Sequence, residues 1–147
     1  KELDSKKLIL SPSDFGLHNA LLTKDYKIAF LDFDYFGWDD PVKLTSDFYW
    51  HPAMILSNEI KNNWLNSMIE LFEDNDDKFS IRLNAALPYY ALRWVLIILN
   101  EFLADENKRR QHARLSEEYN WEEIKDFQLK KSFNLCSSLI DHIENNS

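Results

Sequence analysis

Ser11-Pro12-Ser13-Asp14-Phe15-Gly16-Leu17-His18-Asn19, then Phe30-Leu31-Asp32-Phe33-Asp34-Tyr35, then Gly37-Trp38-Asp39-Asp40-Pro41: these three segments decide the fold. Ahead of them, Leu8-Ile9-Leu10 is a short apolar run that Ser11-Pro12-Ser13 brings to an end, since Pro12 cannot continue a helix. Between the first two segments, Ala20-Leu21-Leu22 and Ile28-Ala29-Phe30-Leu31 flank the polar Thr23-Lys24-Asp25-Tyr26-Lys27. Two short apolar runs around a polar turn read as a β-hairpin. Tyr35 to Pro41, with Gly37 inside it, reads as turn.

Everything beyond reads as helix. Pro41 suits a first helical turn with Asp40 as its cap, in a segment ending near Trp50. From Asn58 to about Glu73, Ile60, Trp64, Met68, Leu71 and Phe72 recur at helical spacing. Glu73-Asp74-Asn75-Asp76-Asp77 reads as a solvated acidic turn; it lacks the spacing and the Gly of a calcium loop. Phe79 to Leu103 is a long helical pattern, interrupted or kinked at Pro88. Its part from Leu92 to Leu103 is apolar nearly all round and is expected to be a buried central helix. Lys108-Arg109-Arg110 is placed near that helix's end, where cations suit the exposed carbonyls. A last helix is expected from Asn120, with Glu123 completing a capping box and Ile124, Phe127, Phe133, Cys136, Ile140 and Ile143 turned inward.

The fold class is therefore α+β, mainly α-helical, as a single domain over residues 1–147 with one small β-hairpin. Two Gly and four Pro in 147 residues, with 45% hydrophobic residues, speak against a β-sandwich, a barrel or a disordered chain. The formal charge of −8 repels phosphate backbones, so nucleic acid is not an expected partner. Cys136 is the only cysteine, which excludes an intrachain disulfide and a cysteine-built zinc site; it reads as a small core residue. The longest apolar run, Trp94 to Leu99, is too short for a bilayer, and the compartment expected is the cytoplasm.

The chemistry lies in residues 11 to 41. Asp14 is followed five residues later by Asn19, and beyond the hairpin, at the end of an apolar strand, comes Asp32-Phe33-Asp34. Phosphoryl transfer asks for this order. One carboxylate faces the acceptor hydroxyl, an amide oxygen holds a metal, and a second carboxylate holds the metals on the phosphates. Magnesium takes hard oxygen ligands, and a neutral one such as Asn19 admits a cation without surplus negative charge beside the phosphates.

Together the three quoted segments resemble the aminoglycoside phosphotransferase/choline kinase family. Its members carry a His-Gly-Asp loop with Asn five residues after the Asp, then Ile-Asp-aromatic-acid, then Gly-Asp-Pro. The resemblance implies that Asp14 is the catalytic base, that Asn19 and Asp32 are magnesium ligands, and that Asp34 supports the metal shell. It further implies the C-terminal lobe of a protein-kinase-like fold, with Mg2+ and ATP or GTP as cofactors and a small-molecule hydroxyl compound as acceptor. Two positions depart from the pattern: Pro12 stands where the family has His, and the spacing from Pro41 to Asp47 is longer. His18, His51, His112 and His142 show no metal-ligand spacing and read as surface or loop residues.

A Gly-rich phosphate loop and a strand Lys find no room before position 14, so the nucleotide-binding lobe is expected to lie outside these residues, and the lobe alone to be inactive. The acceptor is expected between the catalytic loop and the helices, with Tyr35, Trp38, Trp50, Tyr89, Tyr90 and Trp94 as available aromatics. An amino sugar, a sugar or an amino alcohol fits such walls. Apolar surface left by a missing lobe would favour self-association. One alternative is a non-catalytic, kinase-derived module that binds a ligand or a protein. A metal-dependent glycosyltransferase using Asp32 and Asp34 is the other, and it lacks the αβ nucleotide-sugar unit.

Overall fold

The computed structural model describes residues 3–103 and 120–145. The chain is mixed α and β, mainly helical, and divides into two compact units, Lys1–Tyr90 and Ala91–Ser147. The cluster Lys108-Arg109-Arg110 lies outside the described residues.

The first unit opens with a 3-10 turn, Ser5–Lys7, and strand β1, Ile9–Ser11. A second 3-10 turn, Leu17–Asn19, leads into β2, Ala20–Leu22, which pairs antiparallel with β3, Ile28–Phe30. This is the hairpin the sequence calls for. Its loop closes with Tyr26 N–H on Thr23 O at 3.0 Å, and Tyr26 then takes φ 60, the left-handed residue that ends a three-residue hairpin loop. β4, Gly37–Asp39, pairs antiparallel with β1 in the register Leu10↔Trp38. Part of the stretch read as turn is thus a strand. Its pairing is long-range, and three residues are too few to show alternation.

Helix α1, Pro41–Trp50, has Pro41 in its first turn and Asp40 as N-cap, accepting from Val42 N at 2.9 Å. Helix α2, Asn58–Glu73, is capped by Ser57, whose hydroxyl accepts from Ile60 N at 3.3 Å. The two helices pack through Phe48 on Trp64, with ring centroids 4.1 Å apart, and through Trp64 Nε1–H donated to Thr45 O at 2.9 Å. Lys61 lies over Tyr49 and Trp50 at 4.8 and 5.1 Å, and burial pulls its pKa below the usual lysine value. Ile60 and Leu71, expected on the inner face of α2, are exposed, whereas Trp64, Met68 and Phe72 are half-buried.

Helix α3, Phe79–Ile98, runs through Pro88 without a break in its helical assignment. In the first unit it buries Phe79, Leu83 and Leu87 at a spacing of four; Val42, Phe48 and Trp50 of α1 are buried as well. The acidic run before it is not wholly solvated. Asp76 is only 4% exposed and pairs with Lys7 Nζ at 2.6 Å and Arg82 Nη2 at 2.6 Å, while Arg82 Nη1 reaches Asp40 at 2.6 Å. Burial alone would raise the Asp76 pKa. Hydrogen bonds from Lys7 and Arg82, with the Lys78 N–H, outweigh it and hold the carboxyl at about 2.

In the second unit the end of α3 buries Ala91, Val95 and Ile98, and a 3-10 turn, Leu99–Phe102, follows. Leu92, Leu96, Ile97 and Leu103 are exposed, so only one stripe of the segment expected to be buried all round is inside. Helix α4, Trp121–Asn145, packs against that turn. The expected capping box forms in one half: Asn120 Oδ1 accepts from Glu123 N at 3.4 Å, while Glu123 Oε1 accepts from the Asn120 side-chain Nδ2 at 2.8 Å in place of the backbone N–H. Its inward face is not the expected one. Ser132 and Leu139, seven residues apart, are buried, while Phe127, Phe133, Ile140 and Ile143 are exposed and Cys136 is half-buried. No described helix is long and apolar enough to cross a membrane.

Candidate active site

The loop from β1 to the Leu17–Asn19 turn is bent by an uncommon backbone. Ser13 has φ 65, and Asp14 N–H returns to Pro12 O at 2.8 Å, an i→i+2 bond around a left-handed residue. This is the rare, positive-φ form of γ-turn. Ser11, buried, accepts from Ser13 N at 3.1 Å, and Lys43 Nζ on α1 donates to Ser13 Oγ at 2.8 Å. Lys43 is held in turn by Asp39 at 2.7 Å and Asp47 at 3.7 Å. Asp32 is the other left-handed residue of the region, at φ 60. Non-glycine residues in this conformation persist where surrounding structure enforces them, often at functional sites.

Asp14 is the hub. Asn19 Nδ2–H donates to Asp14 O at 3.0 Å and to Asp14 Oδ2 at 3.3 Å. With the amide nitrogen committed to Asp14, the Asn19 oxygen is turned away from it. Leu31 N–H donates to Asn19 O at 2.8 Å, so the hairpin brings the chain entering Asp32 alongside Asn19. Asp32 and Asp34 are exposed, with Asp34 in the turn that Phe36 N–H closes on Phe33 O at 3.0 Å.

Two histidines that the sequence left as surface or loop residues converge on the same carboxylate. His18 Nε2, four residues on, and His51 Nε2, just past the end of α1, each lie 3.2 Å from Asp14 Oδ1. Their rings stack with centroids 3.8 Å apart and planes 10° apart. Gly16 shapes the loop around them. A Cβ there would stand 2.6 Å from His18 Nδ1 and 2.8 Å from Met54 Sδ. Its φ of 173 is ordinary extended backbone, so close approach and not conformation excludes a side chain at this position.

Asp14, His18 and His51 are the one cluster of three potential metal ligands among the described residues, with ligand atoms within 4.8 Å of one another; Asp32 and Asp34 are not in it. The donor set suits a transition metal, yet the geometry does not. His51 Nδ1 accepts the Ala53 N–H at 3.2 Å, which puts the ring proton on Nε2, where a metal would have to bind. The cluster is one carboxylate approached by two imidazoles, His18 through a hydrogen bond and His51 at ion-pair distance.

Beside the hub is a cavity of about 380 Å³ with apolar walls. Pro12 and Phe15 bound it from the Asp14 loop, Phe30 and Phe33 from either side of Asp32, and Trp64 and Met68 from α2. Phe15 lies 4.8 Å from Phe30 and 6.1 Å from Trp64 by ring centroids. None of the six aromatics named from the sequence lines it. Trp50 is in the core, and Tyr35, Trp38 and Tyr89 are exposed.

No protein-family model matches the chain, and neither a curated protein nor a solved structure matches it.

Proposed function

We propose that this chain carries the catalytic loop of a small-molecule phosphotransferase, the C-terminal lobe of a protein-kinase-like fold, that moves the γ-phosphate of ATP or GTP to a hydroxyl group. The observation that supports it best is the joining of Asp14 and Asn19 by Nδ2–H···Oδ2 at 3.3 Å, with Asn19 tied through Leu31 N to the strand that leads into Asp32. Asp14 would orient the acceptor hydroxyl and take its proton. Asn19, Asp32 and Asp34 would hold magnesium, which supplies charge neutralisation on the phosphates when bound. The protein works in the cytoplasm on this account.

The acceptor's place is the cavity between the Asp14 loop and α2. Its walls carry no charged side chain, which favours an amino alcohol or sugar derivative with an apolar portion over a polycationic amino sugar. The two small sheets leave Leu10, Leu21, Leu22, Ile28 and Trp38 more than half exposed, a surface suited to a nucleotide-binding lobe or to self-association. Magnesium-dependent transfer of labelled γ-phosphate by the full-length protein into a panel of amino alcohols, sugars and amino sugars tests the activity. Asp32→Ala should remove the transfer without unfolding the protein. Transfer that persists in the variant would refute the metal role.

A non-catalytic binding module is the second reading, favoured by one observation: Asp14 Oδ1 is already engaged by two imidazoles, as in a structural hub. A folded full-length protein that transfers nothing in the same panel would favour it.

A further inference from the structure

We propose that His51 is a positioning residue for Asp14, fixing the carboxylate so that Oδ2 is the oxygen offered to an acceptor hydroxyl; this rests on the phosphotransferase reading of Asp14. The tautomer carries the case. His51 Nδ1 accepts the Ala53 N–H at 3.2 Å, so the neutral ring holds its proton on Nε2, 3.2 Å from Asp14 Oδ1. The imidazole is only 9% exposed and lies flat against His18, which leaves it little rotational freedom. His18 adds its own Nε2 to the same oxygen at 3.2 Å, and its Nδ1 is buried without a hydrogen-bond partner among the described residues. An unpaired lone pair there costs less than an unpaired N–H, so His18 also carries its proton on the side of Asp14.

Oδ1 therefore has both imidazole Nε2 atoms within 3.2 Å, His18 by a hydrogen bond and His51 at ion-pair distance, while among the described residues Oδ2 receives the long contact from Asn19 at 3.3 Å. In the transfer, the acceptor O–H proton passes to Oδ2 as the new O–P bond forms. The bond between the γ-phosphorus and the bridging oxygen breaks, and its electrons leave with the nucleoside diphosphate. Helix α1 serves as a splint, touching the loop at both ends: Lys43 on Ser13, and His51 on Asp14.

The test combines a spectroscopic and a kinetic arm. Long-range 1H–15N correlation of the 15N-histidine-labelled chain, with neutral rings, should show His51 in the Nε2–H form, and Asp14→Asn should move its Nε2 resonance. The Nδ1–H form, or no response to Asp14→Asn in a folded protein, would overturn the proposal. In the full-length protein, His51→Leu should lower kcat roughly ten- to hundred-fold with acceptor KM little changed. His51→Gln, which places an N–H donor near the same point, should recover most of that loss. Equal losses in both variants would overturn the positioning role. A wild-type protein that transfers nothing while His51 keeps the Nε2–H form would refute the phosphotransferase reading, and the role with it, but not the hydrogen bond.

Discussion

Asp76→Asn removes one charge from the network that joins the start of the chain to α3 and leaves the shape of the side chain unchanged. Asp76 is 4% exposed and accepts from Lys7 Nζ, Arg82 Nε and Nη2, and the Lys78 N–H. These contacts, working against burial, bring its pKa from an ordinary 3.8 to about 2. That difference corresponds to roughly 2 kcal/mol of stability from the charged form. Lys7 and Arg82 are each 28% exposed, so solvent screening reduces the expected loss to about 1–2 kcal/mol. Urea denaturation at pH 7 should show the midpoint of the variant lower by roughly 0.5–1 M. The pH dependence gives the sharper comparison. A depressed folded-state pKa contributes stability above the unfolded value and loses it as pH falls toward the folded one. The gap between wild type and variant should be full above pH 4 and shrink as pH drops to about 2. A gap that is absent at pH 7, or constant from pH 5 to about 2, would refute the assignment.

Three further outcomes are expected. Asn120→Ala removes both hydrogen bonds between Asn120 and Glu123 at the start of α4 and should cost about 1 kcal/mol, read as a lower melting temperature and less helical ellipticity. Gly16→Ala places a Cβ 2.6 Å from His18 Nδ1; it should destabilise the fold by about 1–3 kcal/mol and disturb both histidine resonances, and unchanged spectra would show that the loop has room to yield. Trp64→Phe keeps the ring stacked on Phe48 but loses the N–H to Thr45 O, for an expected loss of about 1 kcal/mol in chemical denaturation.

Local chemistry made much of this fold legible. Asp40 before Pro41 and the Thr23–Lys27 turn between apolar runs act within a few residues and form as expected, and Asn120 caps α4 through Glu123 N. The meeting of Asp14 and Asn19 is local as well, since five residues and one 3-10 turn join them. What the sequence hid is long-range. β1 meets β4 across some twenty-five intervening residues, and His51 reaches Asp14 only because α1 folds back past the loop. A histidine directly after a predicted helix was the only sign of the latter. Asp76 sits among four other polar residues, with nothing local to mark it as the buried one. On α4 the bulky Phe133 and Ile140 suggested an inner face, yet the buried positions are the small Ser132 and, two turns on, Leu139.

Asp14 is the residue on which the functional account turns, and its replacement is the most direct test. Initial rates of labelled γ-phosphate transfer should be compared between the full-length protein and its Asp14→Ala variant, at saturating magnesium nucleotide with the best acceptor from the panel. The account predicts a loss of at least about a hundredfold in kcat in a variant with unchanged circular dichroism. Transfer by the folded variant at the wild-type rate would contradict it.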